Sequence, residues 1–179
     1  CAWVYPEEKP SPFTNRPSSI ASRWTGGASN EVFRFQVLDP ESSYEENDVV
    51  NNNLFFRTNN YFVSAGHVPY NTWSHVAVSY NGESVKLYVN GEIVSDEEVT
   101  LDLSGQSDLT IGETEMANGH WLYWQGVLDD VGYWGRALEF SEIALLSGYS
   151  DCLDELVAEA HVSDALCNGL SGSAELIVS

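Results

Sequence analysis

Two adjacent carboxylates, Asp129 and Asp130, lie inside the apolar, aromatic run WQGVLDDVGYWGRAL at residues 124–138. Paired carboxylates can hydrolyse a glycosidic bond as acid and nucleophile, hold a hard cation, or neutralise a buried guanidinium. Residues 126–134 have strand character, and strand alternation puts Asp129 on the side of Val127, Val131 and Tyr133, and Asp130 on the side of Leu128, Gly132 and Trp134. Neighbours on a strand face opposite ways, so the two do not act together on one sugar. The expectation is that one Asp is buried near Arg136 or backbone N–H groups, while the other faces outward to solvent or calcium.

Other residue groups offer calcium or glycan chemistry. Ca²⁺ takes hard oxygen ligands, and Glu113, Glu115 and Asn118 in GETEMANG join Asp129 or Asp130 as candidates, with further carboxylates at 39–48 and 95–99. No loop has EF-hand spacing, and a solvated acidic rim is the competing reading for most of these side chains. Sugar C–H surfaces stack on flat aromatic faces beside hydrogen-bonding groups. His120, Trp121 and Tyr123 in NGHWLYWQG, with Tyr61, Tyr70 and Trp73, are the aromatic and ring residues nearest turn signals. Packing competes for Trp121. Trp3, Trp24, Trp124 and Trp134 fall within strand patterns and are assigned to the core, and Trp73 heads a hairpin as part of the scaffold.

Nucleophile elbows and His-Glu-x-x-His are absent, and the four His are scattered. Arg16, Arg23, Arg34 and Arg57 share no strand with a His, which argues against a lyase groove for an acidic polymer. Cys1, Cys152 and Cys167 form no metal cluster. Cys152 and Cys167 flank one short segment, so they either close a disulfide in an oxidising compartment, leaving Cys1 unpaired, or remain buried thiols.

The elements that must position these residues are mainly strands. Seven Lys and Arg against 27 Asp and Glu give a formal net charge of −20, which excludes nucleic acid and anionic membranes as partners. No apolar run is long enough for membrane insertion, and any export signal has been removed or lies outside the chain. In WSHVAVSYNGESVKLYVNGEIV, Val76, Val78 and Tyr80 alternate with His75, Ala77 and Ser79, and Val85, Leu87 and Val89 alternate likewise. Asn81-Gly82 and Asn90-Gly91 supply tight turns, so three strands form a meander with one buried face. Further strands are expected at 2–5, 20–24, 32–38, 53–58, 61–65, 109–111 and 126–134, with an exposed acidic loop at 39–53. ALEFSEIALLSG reads as a short helix starting at Ser141 and stopping at Gly148. Residues 151–169 read as a second helical segment or helical pair, and SAELIVS reverts to a strand.

The succession AWVYP, IASRW, FRFQV, WSHVAVSYNGESVKLYVNGEIV, LTIG and WQGVLDDVGYWGRALEFSEIALL resembles the LamG-like jelly roll of the concanavalin A-like lectin/glucanase superfold, over residues 2–147. The resemblance implies an all-β, two-sheet antiparallel jelly-roll sandwich with short C-terminal helices. Residues 1–149 would form the sandwich, and 150–179 a helical segment and terminal strand packed on it or donated to a neighbour. It also implies a rim whose loops hold Ca²⁺ or a glycan in relatives, and a secreted or cell-surface module for adhesion or binding of a glycan or extracellular protein. Arg136 recurs in the family just after the last strand, and pairing with Asp129 or Asp130 would make it a structural tie between that strand and the following helix. Glucanases of this superfold carry Glu-x-Asp-x-x-Glu on one strand, and no such motif occurs here, so a glycoside hydrolase ranks last and the chain is expected not to be an enzyme. Relatives place a strand before the AWVYP segment, whereas this chain begins on it. The tail SAELIVS would fill that place by permutation, self-assemble with a neighbouring copy through the termini, or link to a further domain.

Overall fold

Short strands joined by glycine and asparagine turns build the structure, a computed structural model that describes residues 1–7, 18–24, 31–38, 52–115, 121–148, 158–162 and 174–178. It divides into two units, Cys1–Tyr149 and Ser150–Ser179. The first unit contains β1 (Ala2–Pro6), β2 (Ser18–Arg23), β3 (Phe33–Val37), β4 (Asn53–Arg57), β5 (Phe62–His67), β6 (Ser74–Tyr80), β7 (Ser84–Val89) and β8 (Glu92–Glu98). It continues with β9 (Thr110–Ile111), β10 (Glu113–Glu115), β11 (Trp121–Tyr123), β12 (Gly126–Asp129) and helix α1 (Phe140–Ser147). One sheet has the order β12-β1-β6-β7-β8 and the other β5-β4-β3-β2-β9, with antiparallel pairing throughout. This is the expected two-sheet jelly roll.

The meander β6-β7-β8 follows from its turns. Asn90 and Gly91 both take positive φ, 51° and 86°, the backbone that a tight two-residue hairpin needs. Asn81 Oδ1 accepts hydrogen bonds from the backbone N–H groups of Glu83 at 2.9 Å and Ser84 at 2.8 Å, closing the other turn. At the free edge, β8 carries Glu92, Asp96, Glu97 and Glu98, charges that discourage a further strand from pairing there.

Residues from both sheets meet in one core, among them Val4, Ile20, Phe35, Leu54, Phe56, Val76 and Leu87. The expectation of a single buried face on the meander is corrected by α1. Ile143 of the helix packs with Ala77 and Tyr88 on the opposite face of the sheet, so β6 buries His75, Val76 and Ala77 in succession. The helix itself starts at Phe140, after Glu139 as its cap residue, and ends at Gly148, whose φ of 67° is the left-handed stop that glycine supplies. Ser141 therefore lies inside the first turn.

β1 pairs with β12 on one side and β6 on the other, so no strand position beside it is vacant. In the second unit, residues expected to be helical instead give β13 (Ala158–Val162), which pairs antiparallel with β14 (Ala174–Val178). The tail is a strand as expected, and its partner is β13. Among the described residues α1 is the one helix, where the sequence had suggested several. Cys1 has a free, half-buried thiol. Cys152 and Cys167, and the acidic stretch at 39–51, lie outside the described residues.

Candidate functional site

The strand expected over 126–134 ends at Asp129, and the reason lies in the next residue. Trp3 faces Asp129 in the β1–β12 ladder. Yet Cys1 exchanges both backbone bonds with Gly132, Gly132 N–H to Cys1 O at 2.9 Å and Cys1 N to Gly132 O at 3.0 Å. The register has gained one residue, and Asp130, at φ 44°, is the extra one. Such a bulge re-aims everything after it. Asp accepts the left-handed conformation more readily than most residues, and here Asp130 N–H donates to Asp129 Oδ1 at 2.8 Å.

Both aspartates are exposed, which corrects the expectation that one is buried. Arg136 is also not buried; its side chain is 58% exposed. Its partner is Glu142 rather than either Asp, with Nη1 donating to Oε2 at 2.7 Å and Nη2 to Oε1 at 2.5 Å. Glu142 Oε2 also accepts from the N–H of Glu139 at 2.9 Å, joining the loop to the first turn of α1. These bonds pull the Glu142 carboxyl down to about 2, the Arg136 bond contributing most. Arg136 thus ties the loop to the helix through Glu142, in place of the expected pairing with Asp129 or Asp130.

Past the bulge, Tyr133 and Trp134 are presented at one end of the sandwich. Tyr133 is 64% exposed, yet its ring is stacked on Phe33 with centroids 6.3 Å apart and planes 12° apart, so its position is set. Trp134, assigned to the core by pattern, is 37% exposed. Its six-membered ring occupies the space where a Cβ on Gly132 would stand, so a larger residue there would displace the ring. Together they border a cavity of about 360 Å³ that reaches from the inter-sheet core to Ala77 and Ile143 under α1. Its wall includes Phe33, Phe35, Phe56, Val78, Leu101 and Ile111, and its one charged side chain among the described residues is Arg136.

The aromatic and acidic rim read from the sequence is distributed differently. Glu113 and Glu115 lie on β10 opposite Tyr123 and Trp121 of β11, so the expected loop is in part a hairpin. Tyr123 is 59% exposed, whereas Tyr70 is half-buried in the connection before β6. Trp73, from the same connection, is 42% exposed and packs its ring 5.6 Å from that of Tyr5. Among the described residues, no three His, Cys, Asp or Glu side chains gather to hold a metal ion. Glu113 and Glu115 lie on β10, Asp129 ends β12 and Asp130 follows it. Asn118 and His120 lie outside the described residues, as does the side chain of Trp121.

Sequence reasoning missed two groups. One is the Tyr133–Trp134 pair with its cavity. The other is on the second sheet, where Arg34 Nε lies 2.6 Å and Arg57 Nε 3.7 Å from opposite oxygens of Glu31, and the Arg34 guanidinium lies 4.3 Å from the ring centre of Trp24. Arg34 and Glu31 are 3% and 5% exposed, an internal ion pair, while Arg57 at its edge is 31% exposed. The cross-strand register of Arg34 with Arg57 would have revealed it, and single-strand patterns do not carry register.

The model of the concanavalin A-like lectin/glucanase superfamily matches residues 1–144. The chain belongs to this superfamily. Several solved structures share its fold at low identity. A putative carbohydrate-binding protein from Bacteroides ovatus is 15% identical with a TM-score of 0.62, over 80% of this chain and 38% of that one. The CBM40 of the Ruminococcus gnavus IT-sialidase, bound to α2,3-sialyllactose, is 15% identical with a TM-score of 0.62, over 82% and 80%. Domain 4 of AbnA, an extracellular arabinanase from Geobacillus stearothermophilus in complex with arabinotriose, is 18% identical with a TM-score of 0.55, over 82% and 64%. No curated protein sequence matches significantly. This chain therefore spans well under half of the Bacteroides ovatus protein.

Proposed function

We propose that the Cys1–Tyr149 unit is a non-catalytic, extracellular module that binds a neutral glycan at the 131–136 loop. One observation carries the reading: two exposed aromatic side chains, Tyr133 stacked on Phe33 and Trp134 seated over Gly132, both line an open cavity. Tyr and Trp faces offer large contact areas at small conformational cost, as sugar C–H surfaces require. The Arg136–Glu142 pair beside them supplies hydrogen-bonding groups, and its charges cancel, which with the net charge of −20 favours a neutral sugar. The fold is shared with modules whose names record carbohydrate binding, one of them from an extracellular enzyme.

The reading is tested on a glycan array with the wild-type chain and with Tyr133→Ala, Trp134→Ala and Tyr123→Ala variants. Wild type and Tyr123→Ala are expected to retain the same neutral glycans. Each of the other two should weaken retention at least about tenfold, equivalent to about 1.4 kcal/mol. Undiminished retention by both would remove the loop from the binding site.

A further inference from the structure

The depth of this cavity says what accompanies the sugar, an inference that rests on the glycan reading for the mouth. Beneath Tyr133 and Trp134 the wall is formed by residues such as Ile20, Phe35, Phe56 and Leu101. Two of the polar side chains that reach it, Ser79 and Tyr80, are already engaged. Ser79 Oγ donates to Leu138 O at 3.1 Å, while Tyr80 OH donates to Gly82 O at 2.9 Å and accepts from the N–H of Leu101 at 3.1 Å. A sugar hydroxyl moved against this largely apolar wall would give up more hydrogen bonding to water than the wall returns. A hydrocarbon group would gain by leaving water. Room is sufficient: an engineered apolar cavity of about 150 Å³ in another protein takes up benzene, and this one is about 360 Å³.

We propose that the cavity receives an alkyl or aryl group carried by the glycan, so that the ligand is an amphiphilic glycoside with its sugar at Tyr133 and Trp134 and its hydrocarbon in the cavity. The division of the site follows its chemistry, with exposed aromatics and an ion pair at the mouth and an apolar wall beneath.

The hydrocarbon site is tested without any sugar, by calorimetric titration of the intact chain with 1-octanol. The expected result is saturable binding of one octanol per chain. Two substitutions that fill the cavity from different strands or loops, Ala21→Leu and Leu109→Trp, should each weaken it at least tenfold. Unchanged melting temperatures identify the variants that remain folded; Leu109 is 41% exposed and Ala21 half-buried. Absence of saturable binding, or equal binding by the folded variants, overturns the proposal. Octanol binding without retention on the glycan array removes the sugar from the mouth and leaves the hydrocarbon site, whereas retention without octanol binding does the reverse.

Discussion

His75 is 1% exposed, and neither nitrogen of its ring has a hydrogen-bond partner. The ring packs edge-on against Trp3, with centroids 5.5 Å apart. Burial disfavours the imidazolium and pushes the pKa down from 6.5 to about 4. Between those values the unfolded chain binds a proton that the folded chain does not. Stability from this residue is therefore complete above pH 6.5 and is lost as pH falls toward 4, by about 3 kcal/mol in total. His75→Phe keeps an aromatic ring against Trp3 and lacks the titration. Urea unfolding at pH 7 and pH 4.5 should show a loss in the wild type that is mostly absent in the variant; equal losses would mean that another group governs this range. The same scale explains the error at Asp129 and Asp130. Alternation assumes an unbroken strand, and one residue at φ 44° ends its validity.

At the scale of elements, the 131–136 loop depends on the pairing of β12 with β1. Gly126 opens β12 at φ 124°, and a Cβ there would overlap the carbonyl oxygen of Tyr5. Gly126→Ala is expected to cost at least about 2 kcal/mol through strained backbone and a lost ladder end. The urea midpoint measures it, and a midpoint equal to that of wild type would show that β12 does not rely on this approach. The meander and α1 were legible because Asn-Gly turns and a glycine stop are local signals. The β10–β11 hairpin was not, since arms of three residues are too short to show a period. Ala158–Val162 read as helix because Ala and Glu are good helix formers, and pairing with Ala174–Val178 overrides that preference.

For the whole Cys1–Tyr149 unit, family and sandwich were legible in the order of motifs, while the candidate site was legible only as a choice of aromatic residues. Trp134 has the pattern of a core residue, and it reaches the surface because the bulge at Asp130 ends the strand before it. Arg136 was placed at its post and given the wrong partner, because Glu142 comes within reach only once α1 turns back toward the loop. Glycan binding at this end of the sandwich is the central claim, and it is tested most directly by locating the sugar. Amide spectra of the isotope-labelled chain, titrated with a neutral oligosaccharide retained on the array, should shift at residues 131–136 and at Phe33 beneath Tyr133. Shifts centred instead on residues 118–123 and the β10 carboxylates would contradict the account.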